Sequence, residues 1–231
     1  MESPTVTKSQ RHVHGKWYAD ASGSAFAMEL LGPRWSMLIV RELLSGARRF
    51  TDLRGDLPGI SAKVLTERLG TLEEGGVIAR RQLEAPARGQ VYELTEWGRQ
   101  AETAIQALTR WASQSPDLNS KLPLSTASLM LELKAALDPL RTVGVDMRIG
   151  FGIGRDKYIA ELQGGELLVQ RGRFERAQAI FYADDAGPLA DLFLGDAPLE
   201  ELEDEETIEI SGKRDLALQF VTFFAASADR D

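Results

Sequence analysis

The sequence predicts an α+β protein of two domains. Residues 21–115 carry apolar residues at helical spacing followed by two strand-like runs, and residues 126–231 carry several strand-like runs between helices. Between them, Ser113–Leu124 is rich in Ser, Pro, Asn and Asp, which is typical of a linker. We therefore expect a linker at residues 116–125 and a partly ordered arm at residues 1–20.

The charge of the chain is divided unevenly between these halves. The 231 residues are 43% hydrophobic, enough for two cores, and the net charge of −8 with a pI of about 5.0 is unusual for a nucleic-acid-binding protein. Residues 1–120, however, hold 15 Lys and Arg against 14 Asp and Glu, whereas residues 121–231 hold 12 against 21. The first half is therefore free to approach phosphate groups with a basic face.

Several classes of chemistry are disfavoured by the residues that the chain lacks. It contains no cysteine, so disulfides, thiolate metal sites and thiol catalysis are excluded. His12 and His14 are the two histidines, and both lie in the N-terminal arm without a third ligand nearby. We expect no metal, cofactor or enzymatic activity. With no signal peptide or apolar run near 18 residues, we expect a cytoplasmic protein without membrane contact.

The first domain begins with three predicted helices. Gly32-Pro33 divides one apolar helical pattern into two helices, and Gly46 ends the second. A short helix follows from Phe50 to Leu57 and stops at Pro58-Gly59. The spacing that predicts the first two helices is carried by Met28, Leu31, Trp35, Leu38, Ile39 and Leu43.

The fourth predicted helix, Ser61–Glu74, has a face suited to DNA. Ser61 is a good N-cap, and Leu65, Leu69 and Leu72 share one side. The opposite side and its edge carry Lys63, Thr66, Glu67, Arg68 and Gly70. Such a face either contacts DNA bases and phosphates or is an ordinary solvated face, and the helix alone favours the latter. A carboxylate such as that of Glu67 is tolerated at a groove mainly when it accepts from cytosine or orients an arginine.

The predicted hairpin at Val77–Leu94 changes this balance. Its two strand-like runs carry Arg80, Arg81 and Arg88, and Arg48 and Arg49 precede the third helix. Phosphate contacts supply affinity and base contacts supply specificity, so a basic hairpin beside a polar helix favours DNA binding. The order of helices and hairpin is that of a winged helix-turn-helix.

Four motifs resemble those of the HxlR-type winged-helix transcription regulators, which are related to the MarR group. They are RW-x4-VREL from Arg34, RRFTDL from Arg48, LPGIS-x-K-x-LT-x-RL-x-x-LEE-x-G-x-I from Leu57, and VYELTEWG from Val91. The resemblance covers about residues 18–112 and implies a homodimer on a pseudo-palindromic double-stranded DNA operator. It also implies DNA contacts by Ser61, Lys63, Thr66 and Arg68.

One position departs from this family. Many members sense quinones, aldehydes or oxidants through a cysteine thirteen residues before the Trp of the RW motif, and this chain has Ser22 there. A serine hydroxyl has no thiolate chemistry, so the regulatory signal must enter elsewhere.

The segment Thr95–Ser115 is predicted to be a long amphipathic helix. Its apolar stripe would serve either as a dimer interface or as a core-facing surface. The stripe comprises Trp97, Ala101, Ala104, Ile105, Leu108 and Trp111.

The second domain is predicted as a sheet with packed helices. A helix spans Ser125–Leu140, and in the following strand Met147, Ile149, Phe151 and Ile153 alternate with Arg148 and three glycines, which predicts one packed and one open face. The glycines of Gly150–Gly154 lie inside this strand pattern, so they do not predict a nucleotide-binding loop. The remaining predicted elements are strands in KYIAEL, ELLVQ, AQAIFYA and TIEIS, a helix at Pro188–Leu194, a solvated turn at Glu200–Glu206 and a helix at Asp215–Phe224.

This half resembles a sterol-carrier-protein-like domain over about residues 127–226. The resemblance rests on the strand pair around Gly164-Gly165, on AQAIFYADD followed by GPLADLFLGDAPLEEL, and on TIEISGKRDLALQFVTFF. It implies a cavity for a hydrophobic small molecule and no catalytic residues. For any single candidate the sequence favours solid core over cavity lining, whereas for the domain as a whole it favours a cavity. The candidates are Ile149, Phe151, Tyr158, Phe181, Phe193, Phe220 and Phe224.

Together these patterns predict a dimeric, sequence-specific transcription regulator controlled by a hydrophobic ligand rather than by cysteine oxidation. The alternative is an apolar-ligand carrier whose winged-helix half mediates protein contacts.

Overall fold

A computed structural model describes residues 14–83, 88–119 and 122–224. The chain divides into two compact units after Glu102. His12, most of the predicted arm, and parts of the predicted hairpin and linker lie outside the described residues. The linker at residues 116–125 stays a prediction.

The first unit is a bundle of helices followed by a two-stranded hairpin. Its helices are α1 (Gly23–Leu31), α2 (Ser36–Leu44), α3 (Phe50–Asp56), α4 (Ala62–Glu74) and the short α5 (Glu96–Arg99), and its strands are β1 (Ile78–Leu83) and β2 (Gly89–Leu94). The strands are antiparallel, with Ile78 opposite Leu94 and Arg81 opposite Val91. This is the predicted winged helix-turn-helix.

The break between α1 and α2 falls where Gly32-Pro33 predicted it, but Trp35 does not belong to either helix. Trp35 has a φ of +80°, a left-handed conformation that a bulky side chain seldom adopts. Its ring lies close to Gly59, in the turn that joins α3 to α4. Trp35 therefore packs against that turn instead of continuing a helical stripe.

The long helix predicted at Thr95–Ser115 is divided in two. The α5 helix ends at Arg99, and α6 (Ala101–Ser113) begins after Gln100. Thr95 caps α5 by accepting a hydrogen bond from the Gly98 backbone N–H at 2.9 Å, and its hydroxyl donates to the Gly76 carbonyl. These bonds fix the start of α5 to the end of α4.

The second unit contains a five-stranded sheet with helices packed on it. After α6 and α7 (Thr126–Ala136), the elements are β3 (Met147–Ile153), β4 (Asp156–Gln163), β5 (Glu166–Arg171), β6 (Ala179–Ala183), α8 (Gly187–Phe193), α9 (Leu199–Asp204), β7 (Glu209–Gly212) and α10 (Arg214–Val221). The strand order is β5-β4-β3-β6-β7. Strands β3 and β6 are parallel and the other pairs are antiparallel.

The prediction of an open face on β3 was wrong. Gly150 and Gly152 are buried, because the rings of Phe174 and Tyr182 lie over them. These two rings meet edge to face at 5.8 Å, and the ammonium group of Lys157 lies 5.4 Å from the Phe174 ring. The glycines leave room for side chains that come from other parts of the chain.

The prediction of a solvated turn at Glu200–Glu206 was also wrong, since α9 occupies most of this segment. Leu199 and Leu202 are buried on one side of this helix. Their spacing of three residues places both on the core side, while Glu200 and Glu201 remain exposed. The acidic residues of this segment therefore belong largely to a short amphipathic helix.

Candidate nucleic-acid interface

The position of α4 follows from its cap and its apolar face. The Ser61 hydroxyl accepts a hydrogen bond from the Val64 N–H at 3.2 Å, which satisfies one of the free donors at the helix start. Leu65, Leu69 and Leu72 are fully buried. The cap and the buried face fix the helix, so its other side is presented to solvent.

That solvent side carries the predicted contacts at its N-terminal turns. Ser61, Lys63, Thr66 and Glu67 are all exposed. Thr66 donates its hydroxyl proton to the Ala62 carbonyl at 2.9 Å, which leaves the hydroxyl oxygen able to accept. The structure thus brings an ammonium, a hydroxyl and a carboxylate together on one exposed helix face.

Arg68 lies differently from its neighbours. Its side chain is only 19% exposed, and its guanidinium donates to the Glu67 carboxylate at 3.0 Å. The Glu67 side chain is 57% exposed. Of this adjacent pair, the carboxylate is the group that projects into solvent.

Two arginines of the hairpin are paired with nearby carboxylates, one on the hairpin and one on α4. Arg81 donates to Glu93 on the neighbouring strand at 3.1 Å, and Arg80 donates to Glu73 of α4 at 2.8 Å. The Arg80 guanidinium also lies 5.4 Å from the Tyr92 ring. Exposed ion pairs of this kind contribute about 1 kcal/mol or less, so a phosphate can compete for either arginine.

Arg48 has a structural role, contrary to its predicted contact with DNA. Its side chain is buried and its guanidinium is paired with Asp56 at the end of α3. Its backbone exchanges two hydrogen bonds with Tyr92 of β2, at 2.9 and 2.8 Å. Arg48 thereby ties α3 to the hairpin.

Arg49 and Arg88 meet at the base of β2. A guanidinium nitrogen of Arg49 donates to the Arg88 carbonyl at 3.2 Å, and Gly89 allows this approach because a Cβ there would lie 2.6 Å from that nitrogen. The Arg88 side chain is exposed. Residues 84–87, the tip of the predicted hairpin, lie outside the described residues.

Arg54 is a basic residue of the first unit that the sequence analysis did not single out. It is exposed on α3, immediately after the buried Leu53. The signal was present in the sequence, since the position next to a buried leucine on a short helix faces away from the core and a cation favours such an exposed place.

The seven apolar candidates of the second unit form one packed cluster. Each of them is at most 4% exposed; they are Ile149, Phe151, Tyr158, Phe181, Phe193, Phe220 and Phe224. The Phe193 ring contacts those of Phe181 and Phe224 at 5.2 Å, and Phe220 contacts Phe224 at 5.0 Å. Such distances are typical of aromatic rings in contact.

Ser22, at the position where many HxlR-type members carry a cysteine, caps α1. Its hydroxyl accepts a hydrogen bond from the Ala25 N–H at 3.2 Å and lies 3.0 Å from the Ser24 hydroxyl. The residue therefore has a structural task at the start of the helix.

These features define a winged helix-turn-helix protein, in which the β1–β2 hairpin is the wing and α4, the helix before it, has an exposed polar face. None of the helices in the described part of the chain is long and apolar enough to cross a membrane.

Comparison with known proteins identifies the family. The HxlR-like helix-turn-helix family matches residues 30–120. The HTH-type transcriptional regulator YodB of Bacillus subtilis is 38% identical over 88 residues, which cover 38% of this chain and 79% of YodB. YvaP of the same organism, an uncharacterized HTH-type transcriptional regulator, is 38% identical over 89 residues, covering 38% of this chain and 82% of YvaP. The chain belongs to the HxlR-like helix-turn-helix family of transcription regulators.

Solved structures include a quinone-bound YodB from B. subtilis. That chain is 35% identical, with 40% of this chain and 97% of YodB covered and a TM-score of 0.36. Residues 121–231 lie beyond the segment that the family matches.

Proposed function

We propose that the protein is a dimeric regulator that binds a pseudo-palindromic DNA operator through α4 and the β1–β2 wing. We further propose that a hydrophobic small molecule controls it through the second unit, without thiol oxidation. The observation that supports DNA binding most directly is the exposed Lys63 on the capped end of α4, together with Arg81 on the wing. An ammonium and a guanidinium on these two elements are suited to phosphates on either side of a groove.

The experiment measures DNA affinity at several salt concentrations. DNA upstream of the protein's own gene is titrated with the wild type, Lys63→Ala and Arg81→Ala. Each lost phosphate contact should weaken binding and reduce the log–log salt slope by about 0.9. Lys213→Ala, which removes an exposed cation from the second unit, is the matched control and should bind as the wild type does. Failure of the wild type to bind any such DNA would favour the carrier alternative.

Dimerisation is supported by large apolar side chains that are exposed to solvent. Trp111 is 73% exposed and Leu108 is 47% exposed on α6, whose one buried residue is Ile105. In the first unit, Met28 of α1 and Trp97 of α5 are about half exposed. Large apolar side chains left in solvent are typical of interfaces, and a symmetric dimer matches a symmetric operator.

The proposed control by a ligand rests on the composition and on the second unit. A crystal structure of the relative YodB holds a quinone. This chain contains no cysteine, so a molecule of that kind could bind it only without forming a bond to a cysteine thiol. We propose that an apolar effector inserts between the sheet and its helices, at the cluster around Phe193 and Phe220. Because these rings already fill the space, the insertion must separate them.

This part of the proposal is tested on natively purified full-length protein. Apolar molecules that copurify are identified by mass spectrometry and added back to ligand-free protein during operator titrations. An effector must shift operator affinity, typically by about 5- to 150-fold, since it acts only through unequal binding to the two states. A copurifying molecule that leaves this affinity unchanged would make the second unit a passenger and leave the DNA-binding proposal intact.

A further inference from the structure

Glu67 and Arg68 are adjacent on α4 and form an ion pair, but their side chains differ in exposure. The Arg68 side chain is four-fifths covered, and its Nε is buried without a hydrogen-bond partner among the described residues. Its guanidinium reaches the Glu67 carboxylate at 3.0 Å. An arginine whose side chain is largely covered and whose guanidinium is paired with a neighbouring carboxylate is poorly placed to reach DNA.

Glu67 has the opposite arrangement. Its side chain is 57% exposed, on the same solvent side as Lys63 and Thr66, and one carboxylate oxygen is anchored by Arg68. Anchoring lowers the number of rotamers that a glutamate must lose on binding, so less entropy is lost when it contacts a partner. Glu67 is thus a pre-oriented acceptor on the exposed face of the helix.

We infer that Glu67 is the base-reading residue of this helix and that Arg68 is a positioning residue that holds it. The inference rests on the proposed DNA-binding function and deepens it, because it names the base that is read. Of the two roles that the sequence left open for Glu67, it selects acceptance from cytosine, and it changes Arg68 from a DNA-contacting residue to a positioning residue.

The chemistry of an ionised carboxylate selects the base. It only accepts hydrogen bonds, and in the major groove cytosine presents the N4 amino donor without an adjacent acceptor on the same base. Guanine presents two acceptors and thymine presents O4, so both would repel it. Adenine offers a donor next to the N7 acceptor and is less suitable. Glu67 therefore favours cytosine at one position of each half-site.

The same carboxylate acts against non-specific binding. It repels phosphate oxygens, so the helix loses affinity wherever no cytosine is present to satisfy Glu67. Discrimination of this kind combines one attractive contact with a penalty for all other sequences. Lys63, four residues earlier on the same face, supplies attraction that does not depend on sequence.

The test begins with full-length wild-type protein and a random pool of double-stranded DNA. Selection defines a preferred sequence, and every single-base substitution of that sequence is then titrated with wild type and Glu67→Gln. We expect the wild type to prefer cytosine at one position per half-site by about 10- to 100-fold. The Gln variant should lose this preference and accept adenine there, because an amide both donates and accepts.

Arg68→Met separates positioning from direct contact. It keeps the apolar stem but removes the guanidinium, so a positioning role predicts a weaker cytosine preference with an unchanged salt slope. A phosphate contact by Arg68 predicts instead a uniform loss on all sequences and a slope reduced by about 0.9. That second outcome would overturn the assignment of Arg68.

Glu74→Gln is the matched control, since it removes the same charge at the exposed C-terminal end of the same helix. It should leave the base preference unchanged. If the wild type selects a sequence and Glu67→Gln selects the same one with equal preference at every position, the inference is overturned while the proposed function stands. If the wild type selects no sequence at all, the proposed function fails first.

Discussion

Two glycines of the first unit differ in what a side chain would meet. At Gly98, an added Cβ would lie 1.9 Å from the Val77 carbonyl oxygen, which is fixed backbone. At Gly70, in the middle of α4, an added Cβ would meet nothing within 4 Å. The first glycine is required by a close approach of two backbone segments, and the second has no such requirement.

Gly70→Ala should therefore stabilise the protein by about 0.5–1 kcal/mol, because alanine loses less backbone entropy in a helix interior. Urea unfolding measures the change. Gly98→Ala is the contrasting variant and should destabilise, since Val77 must move. A loss of stability in Gly70→Ala would mean that this helix face is covered in the free protein.

The aromatic cluster of the second unit predicts a large cost for removing one ring. Phe220 is fully buried and contacts four other rings, so Phe220→Ala should lower the free energy of unfolding by about 3–5 kcal/mol. Leu218→Ala is the control on the same helix, 40% exposed, and should cost about 0.5 kcal/mol or less. Thermal or urea unfolding of both variants measures the two changes in the free energy of unfolding. A cost near 1 kcal/mol for Phe220→Ala would indicate empty space around the ring.

The sequence distinguishes some residues better than others. Ser61 was predicted as a cap and is one, because its task depends on residues three positions away. Arg48 and Arg49 are indistinguishable in the sequence, yet only Arg48 is buried against Asp56 and Tyr92. Its environment is built by a helix end and a strand that the local pattern does not bring together.

At the scale of elements, local periodicity predicted most helices and strands. It failed where tertiary partners decide the outcome, as on β3, whose glycine face is covered by Phe174 from the loop before β6. It also failed at α9, where four acidic residues surround two core leucines. The wing and α4 were predictable because their caps, turns and apolar faces are local; the pairing of wing cations with Glu73 and Glu93 was not.

Helices α9 and α10 are joined by an ion pair that makes stability depend on pH. Arg214 donates two hydrogen bonds to Glu203, one at 2.6 Å, and this holds the pKa of the Glu203 carboxyl below its usual value of about 4.5. A lowered pKa in the folded state means that the pair stabilises the protein above the unfolded-state pKa. The contribution is lost as the pH falls through the lower, folded-state pKa.

Glu203→Gln should consequently be slightly less stable than wild type at pH 7 and equally stable at a pH below the folded-state pKa. The effect is small, because both side chains are partly exposed. Urea unfolding at pH 7, 5, 4 and 3 provides the measurement. Asp204→Asn, one residue along α9, controls for general charge. A difference that grows as the pH falls would contradict the role given to the ion pair.

For the molecule as a whole, charge and symmetry act together. The second half carries all of the acidic excess, with 21 Asp and Glu against 12 Lys and Arg, and this opposes non-specific attraction to DNA. Affinity must then come from specific contacts made twice, once by each protomer of the proposed dimer. Two linked half-sites increase the affinity far beyond that of one half-site when their spacing allows both to be occupied.

The last prediction concerns this spacing. In a two-fold dimer the two copies of α4 enter the major groove on one side of the duplex, about one helical turn of 10–10.5 bp apart. Inserting 5 bp at the centre of the selected operator rotates one half-site to the opposite side. We expect the wild type to lose at least tenfold in affinity, since only one half-site remains reachable.

The double variant Trp111→Ala/Leu108→Ala links this loss to the exposed face of α6. It should sediment as a monomer in analytical ultracentrifugation, bind the original operator weakly, and respond little to the 5-bp insertion. Val143→Ala, at an apolar residue that is 76% exposed elsewhere in the second unit, should leave both assembly and spacing dependence as in the wild type. A double variant that stays dimeric would move the interface away from α6. A wild type that tolerates the insertion would show that its two half-sites are not read by one rigid dimer.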